Sequence, residues 1–115
     1  MQNKLIPKCK DYHFSDSIGG KTQADGAQTI TVPDGRFFED WQVTLALSST
    51  PSSGAMTVSY RELIDGAAVW TDLPTTIDMV SGPLGVRFTA LTDAIKLSPA
   101  SYDATKTYGA HVAGS

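Results

Sequence analysis

Few residues in this chain have the types and spacing that chemistry needs, and each set lacks a requirement of the reaction it would serve. Gly19-Gly20-Lys21-Thr22 has the ending of a phosphate-binding loop, whose glycines let backbone amides wrap a phosphate while the lysine reaches its outer oxygens. The first glycine of that motif would fall at Ser15, no apolar strand leads in, and Asp25-Gly26 interrupts the helix whose N-terminus should face the anion. Cys9, His13 and His111 offer a thiolate and two imidazoles, but a closed zinc site wants four ligands and a catalytic one wants well-placed neighbours. Serines are abundant without a Gly-x-Ser-x-Gly elbow, so a Ser-His-Asp triad would rest on chance proximity. Glu39-Asp40 are adjacent carboxylates at a turn, a placement that does not set two acids across a glycosidic bond. The Asp-Gly pairs at 25, 34 and 65 lack the Asp-x-Asp-x-Asp-Gly spacing of a calcium loop and read as turn formers. The sequence therefore reads as non-enzymatic, with no cofactor and no metal.

Aromatic side chains leave one binding chemistry open, the stacking of sugar rings. Trp41 and Tyr60 fall on apolar stripes and are expected in the core, which leaves Trp70, Tyr102 and Tyr108 as candidate glycan-stacking residues.

The elements that would position these side chains are strands. Trp41, Val43, Leu45 and Leu47 alternate with Gln42, Thr44, Ala46 and Ser48, the pattern of a strand with one buried face. Gln28 to Val32 alternates before a Pro33-Asp34-Gly35 turn, and Met56, Val58 and Tyr60 alternate after the polar segment Ser49 to Gly54. The spacing predicts a hairpin between the strands on either side of that segment. The turn at Asp65-Gly66 adds Ala68 to Thr71 to make a three-stranded meander. Further strands are expected at Thr76 to Val80, Val86 to Leu91, Ile95 to Leu97 and Tyr108 to Val112. Ser98 to Thr107 opens with Ser-Pro and favours a loop over a helix. About eight short antiparallel strands result, an all-β chain forming a single β-sandwich or jelly-roll-like domain over residues 27–115. Residues 1–26 read as an extended N-terminal arm, with Leu5, Ile6, Tyr12 and Phe14 as apolar anchors for a partner or for the sandwich itself.

Composition bounds the rest. At 115 residues the chain makes one domain, able to bury roughly 65% of the surface its unfolded form exposes. A net charge of −3 provides no positive field to gather nucleic acid. One cysteine closes no intrachain disulfide. The basic start lacks the apolar stretch of a signal peptide, and no run is long enough to span a membrane, so synthesis in the cytoplasm is expected.

The run from Trp41 to Gly54, then Met56-Thr-Val-Ser-Tyr-Arg61 and Asp93-Ala-Ile-Lys-Leu-Ser-Pro99, resembles small virion proteins of tailed bacteriophages, over roughly Trp41 to Gly114 and in strand and turn style. The resemblance implies a β-sandwich that decorates the capsid, builds head fibres or sits in the tail. Its implied partners are a major capsid or tail protein and further copies of itself, its implied location is the virion, and capsid decoration is the leading role. A carbohydrate- or receptor-binding module is the alternative.

Overall fold

The computed structural model describes residues 13–115, which form nine strands and no α-helix. These strands are β1 (Phe14–Lys21), β2 (Gln28–Thr31), β3 (Phe38–Leu47), β4 (Ala55–Ile64), β5 (Ala67–Asp72), β6 (Ile77–Asp78), β7 (Gly85–Thr92), β8 (Ala94–Ala100) and β9 (Tyr108–Gly114). They build two antiparallel sheets. One has the order β1-β9-β3-β7; the other runs β2-β8-β4-β5, with β6 also pairing with β4. The protein is a β-sandwich, as the alternating pattern predicts.

Period-two patterning explains the packing. Trp41, Val43 and Leu45 of β3 and Tyr108, Ala110 and Val112 of β9 point from the four-stranded sheet into the core. They meet Ile30, Met56, Val58, Ile95 and Leu97 from the opposite sheet. Strict alternation would send Phe38 to the face opposite Trp41, yet both are buried. A bulge resolves the conflict: the β3–β7 register shifts between Phe38 and Asp40, and the amides of Glu39 and Asp40 both donate to the Ser115 carbonyl, at 3.1 and 3.0 Å. The extra residue turns both rings inward, where Phe14, Phe38 and Trp41 pack with centroids 6.2–6.3 Å apart. The Trp41 indole N–H donates to the carbonyls of Phe38 and Ala90, at 3.0 and 3.1 Å.

The hairpin expected across Ser49 to Gly54 does not form. β3 and β4 belong to different sheets, and the connection between them crosses from one to the other. It runs beside the β8–β9 connection, because β9 neighbours β3 in one sheet and β8 neighbours β4 in the other. Ser52 donates to Asp103 through its amide and its hydroxyl, and Ser53 Oγ donates to the Ser101 carbonyl at 2.6 Å. Asp103 also accepts from the amide and hydroxyl of Thr105. The backbone bond from Thr105, then its hydroxyl and the Ser52 amide, hold the Asp103 carboxyl down to about 2. The three-stranded meander is corrected with the hairpin, and only its second turn remains. Asp65 (φ 52°) and Gly66 (φ 80°) are both left-handed, the type I′ geometry that joins β4 to β5.

The β7–β8 corner carries the chain between sheets at Thr92-Asp93-Ala94. Thr92 is fully buried, and its hydroxyl donates to the Arg61 carbonyl at 2.7 Å while accepting from the amides of Arg61 and Ala94. Next to it Arg61 grips Asp93 bidentately, Nη2 to Oδ2 at 2.8 Å and Nε to Oδ1 at 3.1 Å.

Candidate functional site

Leu5, Ile6 and Tyr12, expected as partner-binding anchors, lie outside the described residues, as does Cys9. The other anchor, Phe14, is packed into the chain's own core at the start of β1. β1 itself lies within the segment expected as an arm and is an edge strand on β9, with Phe14 facing Gly114 and Ile18 facing Ala110. Gly19 to Thr22 is the irregular end of that strand. The register shifts between Ile18 and Lys21, and the Thr22 amide and hydroxyl donate to Asp25 Oδ2, at 2.8 and 3.2 Å, so the segment makes a local turn.

Two of the three glycan-stacking candidates are corrected by their burial. Tyr102 and Tyr108 pack edge to face at 5.8 Å inside the sandwich, where no ring face is open to a ligand. The Tyr102 hydroxyl donates to the Thr107 carbonyl at 2.8 Å, whereas the Tyr108 hydroxyl is buried with no hydrogen-bond partner among the described residues. Trp70 on β5 is half-buried, with Lys96 Nζ 4.6 Å from its ring centroid, so a cation already occupies one of its faces. The structure therefore does not bring the three rings together into a platform.

Among the described residues, no three His, Cys, Asp or Glu side chains gather in a group fit to hold a metal ion. His111 on β9 sits opposite Ser17 on β1, and Ser17 Oγ lies 2.9 Å from His111 Nδ1. Both groups are exposed on the outer face of the four-stranded sheet.

Two surface features remain. The first is the end of the β4–β5 hairpin, where Leu63, Ile64 and Val69 are 56, 50 and 40% exposed, among the most exposed large apolar side chains described. Leu63 lies opposite Ala68 and Ile64 opposite Ala67, so the pairing brings no large neighbour to cover either. β5 is also the last strand of its sheet among the described residues. It contains no proline, lysine or arginine and pairs with β4 without a register shift, so it lacks the devices that blunt an edge.

The second feature is a hollow of about 610 Å³ on the outer face of the four-stranded sheet. The register lines up Ser15 on β1, Ala113 on β9, Gln42 on β3 and Arg87 on β7, with Asp40 and Thr89 paired alongside. The two strands in the middle explain the shape. β9 presents only a methyl group at Ala113, its outward position in this row, while longer polar side chains rise around it. Sequence reading missed this group because its members come from four strands that are far apart in the chain; the outward position of Gln42 in the β3 alternation was the one legible sign.

No protein-family model matches the chain, and no curated protein matches it.

Proposed function

We propose that this chain is a structural protein of a tailed-bacteriophage virion, a β-sandwich that binds a capsid or tail protein and other copies of itself, with capsid decoration as its leading role. The observation that carries this reading is the β4–β5 hairpin, which exposes Leu63, Ile64 and Val69 beside an unblunted edge strand. Covering what remains exposed of three aliphatic side chains is worth roughly 1 kcal/mol each. Strand addition along β5 would add main-chain hydrogen bonds that fix orientation. Further support comes from the strand and turn style of Trp41 to Gly114, which resembles that of such virion proteins.

The test is quantitative mass spectrometry of purified particles of the phage that encodes the chain, with copies counted against the major shell protein. Capsid decoration requires on the order of hundreds of copies, as the symmetry of a shell dictates. A handful of copies places the chain in the tail or a fibre, and its absence from particles overturns the virion reading.

A further inference from the structure

The hollow on the four-stranded sheet has a composition that the assembly reading does not use. Ser15, Gln42, Arg87 and Thr89 line it, and none of their side chains is engaged in a hydrogen bond or ion pair with another described residue. The next row of the same face differs, since Ser17 and His111 there satisfy one another. Across the molecule the other arginines are committed: Arg61 to Asp93, and Arg36 to the Pro33 carbonyl and Asp34. Arg87 therefore presents a guanidinium, five donors in a planar fork, to the rim of a concave surface; Asp40, the carboxylate side chain in the same lining, pairs across from Thr89 and makes no ion pair with Arg87.

We propose that this hollow binds an acidic saccharide, with the sugar carboxylate held by Arg87 and ring hydroxyls held by Gln42, Thr89 and Ser15. The span fits. From β1 to β7 the hollow crosses three strand spacings of roughly 4.8 Å, about 14 Å in all, room for a short oligosaccharide lying across the strands. The chemistry fits as well. Hydroxyl and carboxamide side chains both donate and accept, which matches the hydroxyls of a sugar, and the Ala113 methyl offers a small apolar floor to the C–H face of a ring. Arg87 at one end gives the site polarity and selects a ligand whose charge sits at one terminus. The site shares no residue with the hairpin surface, so it stands or falls independently of the assembly reading.

The experiment uses the whole chain, probed with glucuronate-terminated and sialylated oligosaccharides beside their neutral parents, first on a glycan array and then by ¹H–¹⁵N NMR titration. The expected result is binding of carboxylated glycans only, with amide shifts centred on Ser15, Gln42, Arg87 and Ala113. Arg87→Gln keeps the fold, because the side chain is exposed, and weakens binding about 10-fold or more. Leu63→Ser at the hairpin leaves binding unchanged. Equal binding of the neutral parents, shifts centred on Trp70, or binding of none of these glycans would each overturn the proposal.

Discussion

Tyr108 and Tyr102 make a matched pair of rings for which the same substitution is expected to have opposite signs. Both are buried and pack against each other, but the Tyr102 hydroxyl donates to Thr107 while the Tyr108 hydroxyl has no partner among the described residues. Leaving a buried hydroxyl unpaired costs roughly 1–3 kcal/mol, and Tyr108→Phe removes that cost while keeping the ring and its edge-to-face contact. Stability should rise by about 1 kcal/mol or more. Tyr102→Phe deletes a formed hydrogen bond and should lower stability by about 1 kcal/mol. The two variants thus differ by about 2 kcal/mol, roughly 30-fold in the unfolding constant, which urea titration followed by tryptophan fluorescence resolves easily. The pH dependence gives a second readout. Burial first, then the charge of Asp25 and the Tyr102 ring, raise the Tyr108 phenol above its ordinary value of 10.0. Above pH 10 the unfolded chain releases this proton while the folded chain keeps it, so stability is whole below that pH and falls as pH climbs toward the raised value. In Tyr108→Phe this share of the alkaline loss disappears. A Tyr108→Phe variant as destabilised as Tyr102→Phe would refute the reasoning.

Asp103, held down to about 2 by Thr105 and Ser52, favours folding above the usual carboxylate range. That contribution fades as pH falls from about 4 through 2, so Asp103→Asn should flatten the acid limb of a stability–pH curve over that window. Thr92→Val keeps the shape of the β7–β8 corner but strands the amide and carbonyl groups that the hydroxyl serves, and a loss of about 1–3 kcal/mol is expected in urea unfolding. Gly109→Ala would place a methyl carbon 2.7 Å from the Ile18 carbonyl oxygen, so β1 has to shift away from β9. Hydrogen-exchange protection of the residue 14–18 amides should drop while that of β3 and β7 persists.

Faces were legible in the sequence and neighbours were not. The alternation of Trp41 to Leu47 and the Asp65-Gly66 turn identify a one-sided strand and a tight hairpin, and both are present. The Ser49 to Gly54 connection reads equally well as a loose hairpin or a crossover. Only the pairings of β3 with β9 and of β4 with β8 decide it, and those depend on residues far along the chain, from Tyr60 opposite Ile95 to Trp41 opposite Gly114. The burial of Tyr102 and Tyr108 was hidden for a related reason, since Tyr102 lies in a connection, with its amide held by Gln23 and its ring against Gly54, both far away in the sequence. The hollow around Ala113 needs four strands in register before it exists at all.

The placement of β1 on β9 has a consequence for how the protein acquires its structure. Phe14 faces Gly114 across this pair, so the sheet closes only when opposite ends of nearly the whole described chain meet. Of the connections between successive strands, only β4–β5 and β5–β6 stay within one sheet; every other connection crosses to the opposite one. Neither sheet can therefore assemble ahead of its companion, and the search for partners is paid in loop-closure entropy before contacts repay it. Such wiring places folding in the slow millisecond-to-second regime of all-β domains, with the β4–β5 hairpin as the piece able to form first from local sequence alone.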